Sequence, residues 1–330
     1  MSKLSLSQIC GLLLLLISVF PVSAETDQER AEALFKEGYT LYQQRYGAVA
    51  ITPLEKAAKL GHAEAAYWVG EILRKRYAYM TAEAEQFYLQ AAEGGEVYAM
   101  LRFAQKGKMC GTLRDCDYDR EEWLDRAKEF ALPKAEAGDT QAMMALSSAY
   151  AIGGDSDKDY EWVERAAENG HAFAQYWMAV MLDEQDRGFY WTEKGRREDV
   201  RKWLRASAEQ GFPKAILKLA VELKEDGRFE EANEWVGRMG QTDYYNALVN
   251  YGLILLDGPD GMFRYPETRP VEGLAMLMAL HRQMGKSEVK EFVEQYRADM
   301  SARDIARAEK RAEELLVDTP IIYYLPKFGM

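Results

Sequence analysis

From residue 27 onward, apolar positions recur at helical rather than strand spacing, in short amphipathic stretches broken by glycine. Ala31, Leu34, Phe35, Tyr39 and Tyr42 share one face of a first helix that runs to about residue 46, with Thr26 or Asp27 as its cap. Residues 47–53 read as a break, and 54–60 as a short second helix. A fixed pattern then takes over: Ala, two residues, Gly, three residues, Ala. It fits Ala58/Gly61/Ala65, Ala92/Gly95/Ala99, Ala135/Gly138/Ala142, Ala167/Gly170/Ala174 and Ala208/Gly211/Ala215, with intervals of 34, 43, 32 and 41 residues between glycines. Self-similarity at this period predicts an array of helical hairpins. Each unit has a helix A directly after its glycine (62–76, 171–183) and a helix B leading to the next (82–93, 160–169).

The glycines stand where a helix must end in the left-handed region, which penalises any residue with a Cβ. The alanines flanking them let helix backbones approach closely. Large residues recur eight positions before the glycine (Phe87, Phe130, Trp162, Trp203) and six after it (Tyr67, Leu101, Met144, Tyr176, Leu217). Their regularity predicts stacking core rather than a ligand cage. Beyond Gly211 the pattern loosens: helices are expected at 228–239, 244–256 and 271–284, with Gly240 between the first two. Ser287 reads as the cap of a helical region reaching about residue 317, and 319–330 as an extended tail over the last repeats. The expected fold is therefore an all-α solenoid of about six hairpins. Its divisions are N-terminal helices over 25–60, the repeats over 61–285, and a C-terminal helical cap and tail over 286–330.

Residues 1–24 differ from the rest. Lys3, an apolar run from Ile9 to Phe20 and the small residues Val22-Ser23-Ala24 have the layout of a cleaved signal peptide, which predicts a soluble, exported chain in the periplasm of a Gram-negative cell. A lipid anchor at Cys10 fits poorly, because the apolar run follows that cysteine instead of preceding it. The remaining thiols, Cys110 and Cys116, lie six apart across Gly111, and in an oxidising compartment that spacing predicts a disulfide. Metal binding by the pair is the other reading, although no histidine lies nearby to complete a ligand set. The net charge is −12, with 54 acidic against 42 basic residues and no basic stripe. That balance argues against nucleic acid or an anionic membrane face as the main partner. No cofactor motif is present.

The segments Gln90-Ala91-Ala92-Glu93-Gly94-Gly95, Arg165-Ala166-Ala167-Glu168-Asn169-Gly170 and Arg205-Ala206-Ser207-Ala208-Glu209-Gln210-Gly211 resemble the Sel1-like repeat family, relatives of tetratricopeptide repeats. The resemblance covers roughly residues 50–285, and the family's Leu-Gly and Tyr of helix A and its Gly-Val loop are eroded here. It implies a right-handed superhelix and a protein-binding role, and it supplies no catalytic residues. Exported members resemble the immunity proteins that inhibit type VI secretion phospholipase effectors. This implies one tight protein partner; an envelope scaffold or signalling adaptor is the alternative.

Three A-to-B connections are long (107–118, 184–197 and 257–269), and as loops of one kind they should emerge from one edge of the array. The second carries Arg187, Phe189, Tyr190, Trp191 and Arg196, and the third carries Phe263, Arg264 and Tyr265. Aromatic and arginine residues are the types enriched at interface hot spots, so these eight are the candidate partner-binding residues, with the concave helix-A surface as the other candidate. Infilling between helices would account for the same aromatics. His62 and His171 occupy the same repeat position, and no catalytic motif accompanies them or His281, so an enzyme is not expected.

Overall fold

The computed structural model describes residues 26–105, 118–184 and 187–328. The leader and the Cys110–Cys116 pair lie outside the described residues. Helices come in antiparallel pairs: α1 (Asp27–Gln43) with α2 (Gly47–Lys59), α3 (Ala63–Tyr77) with α4 (Ala82–Glu93), and α5 (Val97–Ala104) with α6 (Arg120–Glu136). The array continues with α7 (Thr140–Gly153) and α8 (Ser156–Glu168), α9 (Ala172–Glu184) and α10 (Glu193–Glu209), α11 (Pro213–Glu225) and α12 (Phe229–Met239), and α13 (Tyr245–Asp257) and α14 (Pro270–Met284). α15 (Ser287–Ala298) and α16 (Ala302–Glu314) pack on α14 and close the array. Among the described residues the sole strand-like pairing is one bridge between Tyr244 and Ile322. The fold is an all-α solenoid.

The repeat grammar is physical. Gly61, Gly95, Gly138, Gly170 and Gly211 all have φ between 83° and 97°, and the ten alanines of the pattern are buried. The residue after each of these glycines is also informative. His62, Glu96, Asp139 and His171 each accept a hydrogen bond from a backbone N–H of the following first turn. Both histidines are thus helix N-caps, with Nδ1 as acceptor. Burial holds the His171 imidazole below its usual range, which favours the neutral form that can accept this bond.

Several expectations are corrected. Residues 47–53 do not break the chain: α2 begins at Gly47 and carries Pro53 inside it. The proline removes one ladder bond, but Ala50, Pro53, Leu54 and Ala57 are buried, and that packing outweighs the loss. This makes the N-terminal pair a seventh hairpin. Ser287 is not a cap; Lys286 precedes α15 without a side-chain bond, and the helical region expected to reach 317 consists of two helices ending at Glu314. Phe130, expected in the core, is 40% exposed, with its ring against Gly95 and Lys134 above it. Gly240 has no positive φ; it is needed because a Cβ there would lie 2.5 Å from the Tyr251 ring.

One buried polar network ties the first repeats together. Glu71 on α3 accepts from Tyr88 at 2.7 Å, Arg102 at 2.5 Å and Arg74 at 3.1 Å. Burial pushes the Glu71 carboxyl up, but the Arg102 and Arg74 guanidiniums outweigh it and the net shift is downward. The carboxylate stays charged in the interior because its partners are charged and hydrogen-bonded.

The largest difference concerns the tail. It does not lie over the last repeats alone. It starts there, where Ile322 pairs with Asp243 and Tyr245, and then crosses to α1, α3 and α5 at the other end of the array.

Candidate functional site

The loop between α9 and α10 holds its aromatics in alternating directions, as extended backbone does. Tyr190 turns inward: its hydroxyl donates to Asp199 Oδ2 at 2.9 Å, and the Arg196 guanidinium lies 5.6 Å above its ring. Burial and the Asp199 carboxylate raise the Tyr190 hydroxyl well above its ordinary range, so it remains a donor. Arg196 also donates to the Leu182 carbonyl at 3.1 Å, and Thr192 caps α10 through the Gly195 N–H. Arg187 is half-buried, its backbone N–H bonded to the Met181 carbonyl at 3.2 Å. On the outer side Phe189 and Trp191 are 77% and 90% exposed and contact each other edge to face, with centroids 5.1 Å apart. An anchored loop therefore presents a two-ring apolar knob.

The loop between α13 and α14 behaves differently. Phe263 is 6% exposed and packs in the core cluster of α11 and α12. Tyr265 is half-buried against the same cluster. Arg264 is exposed, at φ 46°, with its guanidinium 4.5 Å above the Phe229 ring. The loop turns back on the short helix Gly258–Asp260, with the Tyr265 N–H donating to the Gly258 carbonyl at 3.1 Å and the Arg264 N–H to the Gly261 carbonyl at 2.9 Å. The exposed apolar residue here is Met262, at 78%, which the aromatic pattern passed over.

The groove formed by the first helices of the hairpins is partly filled by the tail. Gln43, itself buried, donates from Nε2 to the Leu325 carbonyl at 3.0 Å and accepts the Leu325 N–H on Oε1 at 2.6 Å. The Tyr67 hydroxyl donates to the Lys327 carbonyl. Lys327 Nζ lies 2.9 Å from both Glu64 and Glu96, and these carboxylates raise its ammonium against the opposing effect of burial. Phe328 is buried between the Tyr98 ring at 5.6 Å and the Arg102 guanidinium at 4.1 Å. Tyr324 donates to Asp243 at 2.7 Å and packs edge-on against Phe212 and Tyr244. A cleft of about 590 Å³ remains beside the tail, lined by Lys134, Gln141, His171 and Phe173 among others. Gln43, Glu64 and Glu96 were not singled out from sequence. Nothing near them in the chain marks them, because their partners lie more than 230 residues away.

Among the described residues no group of three His, Cys, Asp or Glu side chains is placed to hold a metal ion, and no helix is long and apolar enough to cross a membrane. No family model matches the chain, and no curated protein matches it. Among solved structures, a protective antigen of uropathogenic Escherichia coli with an SLR fold is 18% identical, the match covering 89% of this chain and 68% of that one at a TM-score of 0.35. A Sel1 repeat protein from Oxalobacter formigenes is 19% identical, the match covering 87% of this chain and 84% of that one at a TM-score of 0.46.

Proposed function

We propose that this chain is a protein-binding repeat protein that docks one partner on the edge loop carrying Phe189 and Trp191. The observation that carries the reading is the knob itself: two large rings left in water on a loop pinned by Tyr190, Thr192 and Arg196. Exposed apolar surface on a pre-ordered loop loses little entropy on binding, and aromatic anchors of this kind dominate interface energetics. Arg187 and Arg264 would contribute at the rim; Phe263 supports the fold instead.

In its finer form the proposal is an exported immunity protein that covers the active-site mouth of a type VI secretion (phospho)lipase effector. The leader-like N-terminus and the resemblance of the repeats support that form. A scaffold or adaptor assembling several envelope proteins would want regular repeats lining a uniform groove, whereas the intervals between the repeat glycines here range from 32 to 43 residues.

The test is a pull-down from periplasmic extract with the tagged chain, read by mass spectrometry. One stoichiometric secreted lipase supports the immunity reading, and a spread of envelope proteins at low occupancy sinks it. With the partner in hand, Phe189→Ala combined with Trp191→Ala should weaken binding by about 2 kcal/mol or more, roughly 30-fold. Unchanged affinity would remove the edge loop from the interface.

A further inference from the structure

The tail contacts divide into two kinds. Ile321 is an ordinary core residue, fully buried among α13, α14 and the cap. Residues 324–328 combine packing with polar contacts: Phe328 is buried in the core cluster of the first repeats and Leu325 packs against it, but both lie beside groups that bind by charge or hydrogen bond. Gln43 reads the backbone N–H and C=O of Leu325 together, a pairing that recognises extended chain whatever its side chain. Flanking this clamp are separate seats: a carboxylate pair for the lysine ammonium and a guanidinium-and-tyrosine pocket for the following phenylalanine. Packing alone would need none of these polar features. They are the parts of a peptide-recognition site: a main-chain clamp for affinity and side-chain seats for specificity.

The bound segment is also joined to the fold through a strained connection. Leu316 and Asp318, between α16 and the tail, both sit at φ 58°, and Tyr324 at 51°, a region that L side chains rarely adopt. The buried Ile321 and the Tyr244–Ile322 bridge lie just before Tyr324 in the chain, and the Gln43–Leu325 clamp just after it.

We propose that the groove between α1, α3 and α5 is a receptor for an extended segment of a partner protein, carrying a lysine followed by an aromatic residue, and that residues 324–328 are its built-in competitor. The acidic seat and the net charge of −12 favour a basic segment. The inference is independent of the edge-loop reading, because it uses other residues and a different face of the chain.

The test uses the full chain and a labelled synthetic peptide with the sequence of residues 321–328, followed by fluorescence anisotropy. Lys327→Glu with Phe328→Ala should empty the distal seats, and the unlatched chain should bind the peptide at least tenfold tighter than the wild type. Adding Gln43→Ala, or replacing the peptide's lysine by glutamate, should reverse that gain. A folded unlatched chain that ignores the peptide, or binds it equally well with Gln43→Ala, overturns the proposal. A wild-type dimer in sedimentation that these tail substitutions abolish would assign the groove to a second copy and overturn the partner reading. Should the unlatched chain not fold, hydrogen exchange of the wild type decides. Faster exchange of the Leu325 amide than of the α3 and α5 amides supports a releasable tail; exchange only with global unfolding makes the tail a fixed part of the core.

Discussion

The α9–α10 and α13–α14 loops are similar in composition, each with aromatics, arginine and glycine in a dozen residues, and their aromatics have opposite fates. In the first, Tyr190 is the inward anchor and Phe189 and Trp191 stand in solvent. In the second, Phe263 is driven into the core of α11 and α12 and Met262 is left outside. The difference comes from what lies beneath each loop. α10 offers the first loop a polar partner, Asp199, which a tyrosine can satisfy and a phenylalanine cannot. α11 and α12 offer the second an apolar cluster in which a phenylalanine packs, with the Lys224 ammonium 5.7 Å above its ring. Loop composition alone does not identify a binding surface; the neighbouring helix decides which ring is spent on packing.

The contrast can be broken most forcefully at Phe263. Phe263→Ala should cost about 3–5 kcal/mol of stability in denaturant unfolding, as deletion of a buried ring does. A loss below about 1 kcal/mol would mean that the ring is not core. Tyr190→Phe is the next lever: it removes the bond to Asp199, should cost about 1 kcal/mol, and should raise hydrogen exchange across the α9–α10 loop. An unchanged exchange pattern would show that the other anchors hold the knob unaided. The smallest effect is expected where the surface is most conspicuous. Phe189→Ala with Trp191→Ala should leave the unfolding midpoint within about 0.5 kcal/mol of wild type, since exposed side chains contribute little to folding. A larger loss would move those rings from the partner's account to the fold's.

The tail stands apart from both loops. Its distal residues contact helices from the far end of the array, through the Gln43 amide and the Glu64 and Glu96 carboxylates, whereas each loop is held by the helices next to it. The buried Glu71–Arg102 pair connects it to the first repeats, because the guanidinium that satisfies Glu71 also seats Phe328.

Much of the architecture was legible in the chain. The five Ala/Gly/Ala matches located the hairpins because a left-handed glycine and a close helix contact are local demands, each met within a few residues. Helix boundaries fell within a residue or two of expectation for α3, α9, α12, α13 and α14. Pro53 misled, since its local penalty was outweighed by burial of the residues around it. Phe130 misled in the opposite sense: its repeat position is a core position elsewhere, but here the ring lies over Gly95 at the surface. At the edge, the aromatic pattern found the loops and could not say which rings turn outward.

What the sequence by itself determined was the periodic part, an all-α array of hairpins with two aromatic insertions, because helix periodicity and left-handed turns are written in short windows. What only the tertiary structure decided was where non-periodic segments go. The tail's extended form was readable from Pro326, which disfavours helix at the residue before it. Its path was not: the Gln43–Leu325 clamp joins residues 282 positions apart. That meeting depends on how seven hairpins curve together, a sum over many packing contacts that no short stretch of sequence records.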